Sequence, residues 1–306
     1  MSPLPASDEY EFCSIFSAVE ATEPLHATAT RADIWLSLEY TGRWDSRAFP
    51  QSNLSAAVKE HVAALEEAVP NVRVQFIRRT GNYTPDPIHF FVSIAHADPP
   101  RLYKFLLPAY DELLDLDLQA IVRDDTTYQG HVVDEKLYFV CNNGLRDACC
   151  AKFGIPVRQA VEESAGEQAW QCTHIGGHRL APNLLFLPHA LSYGRGTPEI
   201  ASTLVASYRD GAVHLPHYRG RTTYDRPVQA AEHFFREESG ELAVDAYRPL
   251  SEVNEGEGAW HVTFAGSDGH EHTVRVAARR WHEPVYKTCD ATETSVVEHY
   301  ELIGFD

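Results

Sequence analysis

Apolar residues in the first third of the chain follow two different periods, which together predict a strand, a helix and two more strands. Residues 33–40 (DIWLSLEY) are rich in β-forming residues and end at a Thr-Gly turn, which is typical of a strand. Between residues 54 and 69 the apolar positions recur at steps of three and four, which predicts a helix that Ser52 or Asn53 caps and Pro70 ends. Two further strands are predicted around a polar turn, at residues 72–79 and 88–95.

The middle of the chain repeats this β-α-β-β order without a repeat at the level of residues. The repeated elements are a short strand, a helix and two strands, at residues 136–141, 150–165, 169–174 and 183–194. One sheet flanked by helices, as in thioredoxin, suits each half, so the fold class is expected to be α+β. We therefore expect an N-terminal thioredoxin-like domain without ligands at 1–130 and a C-terminal thioredoxin-like domain at 131–306.

The remaining segments predict mostly helix. Residues 101–121 between the halves are interpreted as a helix and a connector, and residues 197–211 and 226–240 as helices closed by glycine. Residues 259–280 are interpreted as two strands joined by a turn at Ser267-Asp268-Gly269, which predicts a hairpin.

The net charge and the amino-terminal residues indicate which partners and which cellular location to expect. The 306 residues include 44 acidic and 26 basic side chains, for a net charge of −18, which disfavours nucleic acid and anionic lipid as partners. The first twenty residues lack the positive and apolar regions of a signal peptide, and no apolar run is long enough for a membrane span. A cytoplasmic protein is expected, in which the six cysteines are thiols or metal ligands rather than disulfides.

Four of the six cysteines lie between residues 141 and 172, next to two histidines in the segment THIGGH (173–178). Thiols and imidazoles together suit zinc or an iron–sulfur cluster. The cysteine spacing is C-x₇-C or C-x₈-C, wider than in a zinc finger, which favours a cluster over a single zinc ion. Gly176 and Gly177 let the backbone turn sharply and approach a ligand closely.

Two motifs carry a resemblance to a known family. CNNGLRDACCAKFG (141–154) and THIGGHRLAPNLLFLPHALSYGR (173–195) resemble the sucrase/ferredoxin-like family, and similarity continues at 23–44 and 218–232. The family resembles thioredoxin-like [2Fe–2S] ferredoxins in which histidines replace the last two cysteine ligands. Carried over by position, the resemblance implies a [2Fe–2S] cluster held by Cys141, Cys150, His174 and His178.

The neighbours of these ligands have more modest expected roles. The family pattern favours Cys150 over Cys149 as the ligand, with Cys149 as a buried neighbour, while Cys172, Cys13 and Cys289 are interpreted as structural. Arg146 and Asp147 either tune the sulfurs or brace the loop as an ion pair, and these alternatives stay open. Asn183 is expected to fix the loop after the histidines by hydrogen bonds.

Two neutral imidazoles and two thiolates would leave an oxidised cluster neutral. The potential should then lie well above the roughly −400 mV of plant-type ferredoxins. Each iron-bound imidazole keeps a second nitrogen that can carry a proton, so reduction is expected to be coupled to proton uptake.

The function predicted from this ligand set is one-electron transfer rather than catalysis, although the sequence leaves the enzyme question open. The partner would be a redox protein such as a flavin reductase. A structural zinc protein with two cysteine and two histidine ligands is the alternative. A sugar hydrolase, which the family name raises, needs a carboxylate pair that no motif singles out. A thiol oxidoreductase would need C-x-x-C, which the vicinal Cys149-Cys150 does not supply.

Overall fold

Strands of the protein form one large mixed sheet and one smaller antiparallel sheet. In the computed structural model, which describes residues 12–306, nine strands form the first sheet and four form the second. The first twenty residues are predicted to lack a signal peptide, and the first eleven of them lie outside the described residues. Helices pack against both sheets, so the predicted α+β class is confirmed.

The first half has the predicted β-α-β-β order, preceded by a short helix and followed by one more strand and a short helix. Its elements are α1 (Cys13–Val19), β1 (Ile34–Glu39), α2 (Ala56–Ala68), β2 (Val72–Arg78), β3 (Ile88–Ile94), β4 (Arg101–Leu107) and α3 (Leu118–Val122). β1 and β2 are parallel, as the α2 crossover requires, and β3 pairs with β1 and β4 with β3 in antiparallel fashion. The cap of α2 is Ser55, whose hydroxyl accepts from the Val58 N–H, and not the predicted Ser52 or Asn53.

The second half repeats the same pairing order. Its elements are β5 (Leu137–Cys141), α4 (Ala148–Ala165), β6 (Ala169–Cys172), β7 (Leu184–Leu187), β8 (Leu191–Tyr193), α5 (Pro198–Arg209) and β9 (Tyr218–Arg221). β5 and β6 are parallel around α4, β7 pairs antiparallel with β5, and β8 pairs antiparallel with β7. In the order of neighbouring strands across the sheet, β2-β1-β3-β4 of the first half corresponds to β6-β5-β7-β8 of the second.

The two halves share one continuous sheet, because β2 and β6 pair antiparallel at its centre. Only two residue pairs form this ladder, Ile77 with Cys172 and Arg78 with Gln171. Side chains extend the junction: the Thr173 hydroxyl accepts from the Phe76 N–H at 3.1 Å and donates to Gln75 Oε1 at 2.7 Å. The predicted domain boundary near residue 130 stays a prediction, and the sheet runs across it.

Three predicted elements differ from the structure. Residues 101–107, predicted as helix, form the strand β4, in which the alternate side chains Tyr103, Phe105 and Leu107 are buried while Leu106 is exposed. Residues 183–194, predicted as one strand, form the β7–β8 hairpin. α4 begins at Ala148 rather than at the predicted residue 150, because Asp147 caps its first turn.

The second sheet lies in the last third of the chain and packs against α6 (Arg226–Ser239). Its strands are β10 (Tyr247–Gly256), β11 (Ala259–Gly266), β12 (Glu271–Arg280) and β13 (Glu298–Phe305). The predicted hairpin is confirmed as β11–β12. Val228 and Ala231 of α6 share an apolar core with Val262 and Phe264 of β11, which fixes the helix on the sheet. Within residues 12–306, no helix has the length and apolar character needed to cross a membrane.

Candidate metal centre

Parallel pairing of β5 and β6 brings the cysteine and histidine motifs together. Cys141 is the last residue of β5 and lies beside Cys172, the last residue of β6, so the segments that follow both strands leave the same edge of the sheet. After β5, a tight turn leads into α4, whose first turn carries Cys149 and Cys150. Gly154 faces the Cys141 carbonyl so closely that a Cβ there would overlap it, which lets α4 lie against the end of β5.

Three of the four predicted ligands converge. One donor atom from each of Cys141, Cys150 and His174 lies within 4.8 Å of the other two. The Cys150 sulfur is 3.8 Å from His174 Nδ1. Both cysteines are fully buried, whereas His174 is partly exposed.

The two thiols have pKa values shifted in opposite directions. A hydrogen bond from Cys150 holds the pKa of the Cys141 thiol well below its ordinary value, and the nearby His174 lowers it further. The same hydrogen bond raises the pKa of Cys150. Cys141 is therefore the thiolate of the pair and is ready to bind a cation.

His178, the fourth predicted ligand, lies beside His174 but contributes no donor to the three-atom set. The two rings have their centroids 5.0 Å apart. His178 is 9% exposed, its Nδ1 is buried without a hydrogen-bond partner, and its Nε2 is 3.8 Å from Asp147 Oδ2. Burial lowers the pKa of His178, so the ring is held neutral, which is the form that binds metals. A buried imidazole nitrogen without a partner is the position that a metal would satisfy.

A buried arginine, Arg219, holds the turn between the two histidines in place. Arg219 is 1% exposed and donates to the Gly176 carbonyl at 3.1 Å and to Asn183 Oδ1 at 2.8 Å, and also to Thr28. Asn183 in turn donates to the Gly177 carbonyl at 2.8 Å, so it makes the kind of contact expected of it. Gly176 and Gly177 have φ of +100° and +73°, and their close neighbours are Thr30 and Arg219 rather than open space for a ligand.

Arg146 and Asp147 lie in different environments and, in the part of the chain described, form no ion pair with each other. Arg146 is exposed. Asp147 is buried and accepts hydrogen bonds from the Cys149 N–H and the Cys289 N–H, both at 3.0 Å. Its carboxylate thus braces the loop through backbone contacts and also lies close to His178.

His174 is the ligand candidate that opens to the surface. It lines a cavity of about 360 Å³, together with Arg47, Arg73 and Arg146, and one acidic residue, Glu66. Three arginines at this opening stand out on a chain of net charge −18. The opening is therefore a positive region on an acidic protein.

A second group of metal-binding side chains was not predicted from the sequence. Cys13, Cys149, Cys289 and Asp147 each place one donor atom within 4.8 Å of the others. Cys149 is buried, as expected, but Cys13 and Cys289 meet it rather than standing alone. Separations of 136 and 140 residues leave no local spacing that could have revealed the group.

The buried cysteine and histidine donors at one edge of an α+β sheet define a candidate metal-binding protein. The chain belongs to the sucrase/ferredoxin-like family, whose model matches residues 25–220 and so contains both motifs. This places the four predicted ligands inside the region that the family shares.

Curated relatives are similar over a shorter stretch. Three fungal proteins called "Altered inheritance of mitochondria protein 32" match: those of Meyerozyma guilliermondii at 26% identity over 113 residues, Candida glabrata at 27% over 112 and Eremothecium gossypii at 29% over 115. The matches cover 32–33% of this chain, and the chain spans only 36–40% of the length of these relatives. No solved structure matches the chain.

Proposed function

We propose that the protein binds a [2Fe–2S] cluster through Cys141, Cys150, His174 and His178 and acts as a one-electron redox carrier. The observation that carries the proposal is the meeting of two buried thiols and two adjacent imidazoles at the ends of β5 and β6, with His178 Nδ1 buried and unpartnered. Membership of a ferredoxin-like family supports the same donor set. The cytoplasmic location stays a prediction.

The placement of His178 favours two metal ions over one. A single tetrahedral ion needs four donors at similar short separations. Here three donors lie within 4.8 Å of one another, and His178 contributes none to that set. A site that is wider on the His178 side suits a two-iron cluster, in which each iron takes only two of the four protein ligands.

The residues of this chain would hold the cluster and direct its contact with a partner. When bound, the cluster supplies a one-electron couple, and the two neutral imidazoles would raise its potential relative to four thiolates. The Gly176-Gly177 turn and Arg219 fix both imidazoles on one short segment. His174, which opens into the cavity lined by Arg47, Arg73 and Arg146, is the route of electron exchange that we propose. A partner such as a flavin reductase would meet these arginines with an acidic surface. The expected coupling of reduction to proton uptake stays a prediction of the ligand set.

Iron and acid-labile sulfide in freshly purified protein test the proposal directly. We expect about two of each per chain and a red-brown colour. Cys150→Ser should lose most of the iron and the visible absorbance, whereas Cys149→Ser should keep most of both. Cys172→Ala is the matched control, because Cys172 is buried nearby but belongs to neither metal-binding group. Full iron content in Cys150→Ser would reject the proposed ligand set.

The midpoint potential tests whether the histidines are ligands. In His174→Cys a thiolate replaces a neutral imidazole, so the oxidised centre gains a negative charge and its reduction becomes harder. We expect the midpoint potential of His174→Cys, measured by redox titration, to fall relative to that of the unmodified protein. A potential that rises instead would mean that His174 does not bind the cluster.

A zinc ion at the same site is the second candidate. The approach of Cys141, Cys150 and His174 within 4.8 Å is the observation that favours it, because those three donors could surround one ion. This candidate predicts a colourless protein without sulfide, in which zinc is lost in Cys150→Ser. Colour and sulfide content therefore separate the two functions.

A further inference from the structure

Three cysteines from distant parts of the chain meet at the start of α4. Cys13 opens α1, Cys149 lies in the first turn of α4, and Cys289 lies in the segment between β12 and β13. The sulfur of Cys149 is 3.5 Å from that of Cys13 and 3.0 Å from that of Cys289, and the remaining pair is 3.6 Å apart. The three sulfurs thus form a compact triangle, in which each contacts the other two.

A carboxylate completes the group from one side. Asp147 Oδ1 is 3.1 Å from the Cys289 sulfur, and its side chain is 2% exposed. Within residues 12–306, no lysine or arginine forms an ion pair with Asp147, and its nearest ionisable basic neighbour is His178 at 3.8 Å. A buried carboxylate without a cation is costly.

The cysteine at the centre of the group lies in an apolar environment. Cys149 is fully buried, among the apolar side chains of Phe12, Phe153 and Tyr286. Three sulfurs and one carboxylate oxygen are thus brought within 4.8 Å of one another away from water, an arrangement that a bound cation would stabilise.

The sulfur separations fit one metal ion better than a disulfide or an iron–sulfur cluster. A disulfide requires a sulfur separation of about 2.05 Å, which no pair has. One tetrahedral zinc with Zn–S bonds of about 2.3 Å places its sulfurs about 3.8 Å apart. The separations of 3.5 and 3.6 Å lie close to this value, and that of 3.0 Å is shorter. A cluster of several irons would hold the sulfurs on different metal ions and farther apart. The triangle therefore suits one ion.

We propose that Cys13, Cys149, Cys289 and Asp147 form a second metal site, which binds one structural zinc ion. Thiolate donors favour Zn²⁺ over the hard cations Mg²⁺ and Ca²⁺, and three sulfurs with one oxygen suit its tetrahedral geometry. The site is closed, because all four positions are taken by protein atoms, which is typical of structural rather than catalytic zinc.

The zinc would hold three remote segments together next to the Cys/His site. It would join α1, the start of α4 and the segment between β12 and β13. The backbone of Lys287, in that last segment, lies close to His178, so the zinc would also keep this cover of His178 in place. The adjacent Cys149 and Cys150 would therefore serve different metals.

Zinc and iron measured on the same samples, purified from medium that contains both metals, test the site. We expect one zinc per chain in the unmodified protein. Cys13→Ser and Cys289→Ser should each lose at least nine-tenths of the zinc and keep most of the iron. Cys150→Ser should keep its zinc, as should Cys172→Ala, the control for loss of a buried cysteine outside both groups. Zinc that persists in Cys289→Ser and disappears in Cys150→Ser would overturn the assignment and place zinc at the Cys/His site instead.

Two measurements on the unmodified protein remain decisive if a variant fails to fold. X-ray absorption at the zinc edge should show three sulfurs at about 2.3 Å and one oxygen at about 2.0 Å, whereas zinc at the Cys/His site would show two sulfurs and two nitrogens. Alkylation after denaturation with a chelator and no reductant should modify all six cysteines. Modification of only four, with no zinc in the sample, would mean a disulfide and reject the metal site. Because iron is measured separately, the zinc result can still be interpreted if the protein binds no iron–sulfur cluster.

Discussion

At the scale of single residues, two glycines and one arginine set the spacing of the histidines. Gly176 and Gly177 both adopt positive φ, and a Cβ at either position would overlap a neighbour, Thr30 in the first case and the Arg219 guanidinium in the second. Arg219 cannot move aside easily, because its donors are bound to Thr28, Gly176 and Asn183. The glycines are therefore required by backbone conformation and by packing together.

Gly177→Ala should destabilise the protein and loosen the metal site. The left-handed conformation alone costs an alanine about 1–2 kcal/mol, and the displacement of Arg219 adds to that cost. Gly81→Ala is the matched control, because Gly81 also has a positive φ, of +98°, but open space around it. We expect urea unfolding to show a larger loss of unfolding free energy for Gly177→Ala than for Gly81→Ala, and a lower iron content. Equal losses would mean that Arg219 does not constrain the turn.

At the scale of elements, a buried carboxylate joins the histidine segment to two remote parts of the chain. Glu23, which follows α1, is 0% exposed and accepts hydrogen bonds from Arg179 at 2.7 and 3.0 Å and from Ser17 at 2.7 Å. His299 of β13 lies 3.1 Å from the same carboxylate. Arg179 directly follows His178, so this contact anchors the short turn that carries the ligand.

The stability contributed by Glu23 should depend on pH. Burial alone would raise the pKa of this carboxyl, but hydrogen bonds from His299 and Arg179 outweigh it and lower the pKa from 4.5 to about 2. Because the folded-state pKa lies below the unfolded one, the contribution is complete above pH 4.5, at about 3 kcal/mol, and is lost as pH falls towards 2.

Unfolding free energies of the unmodified protein and Glu23→Gln, measured by urea at pH 6 and pH 3.5, test this expectation. The difference between the two proteins should shrink by roughly 1 kcal/mol at the lower pH. Glu60→Gln, at an exposed position on α2, is the control for loss of one negative charge. If the difference in unfolding free energy between Glu23→Gln and the unmodified protein stays constant with pH, the partners of the Glu23 carboxylate do not stabilise its charged form.

At the scale of the whole molecule, the narrow junction between β2 and β6 carries the connection between the halves. Two residue pairs form the ladder, and Gln75 and Thr173 extend it by side-chain hydrogen bonds. Gln75 also donates to the His174 carbonyl at 3.3 Å, so the first half contacts the segment that carries the ligands. The first half, which supplies none of the four proposed cluster ligands, thus supports the site of the second.

The chain should unfold as one cooperative unit. We expect urea transitions followed by tryptophan fluorescence and by the visible absorbance of the cluster to coincide. Thr173→Val leaves the Phe76 N–H and Gln75 Oε1 without their partner, so both transitions should shift together by about 2–4 kcal/mol. Thr203→Val, at an exposed position on α5, is the control and should change stability by less than about 0.5 kcal/mol. Two separate transitions would instead support independent halves.

The sequence by itself determined the features that depend on neighbouring residues. The period of apolar residues predicted β1, α2, β2 and β3, and the β11–β12 hairpin, because side-chain alternation and turn residues act locally. The clustered motifs at 141–150 and 174–178 predicted that thiols and imidazoles would lie at one edge of the sheet. Cys141, Cys150 and His174 converge there, since both motifs follow strands of one β-α-β unit. The sequence did not predict β4, where a short apolar run fits a helix and a strand equally and only pairing with β3 decides.

Only the tertiary structure decided which remote residues meet. The antiparallel contact of β2 with β6 joins segments more than ninety residues apart, and the meeting of Cys13, Cys149 and Cys289 spans 276 residues. No local period or spacing records such contacts, because they depend on how whole elements pack after they form. For the same reason Arg219, distant in sequence from the histidines, could not be recognised as the residue that holds their turn.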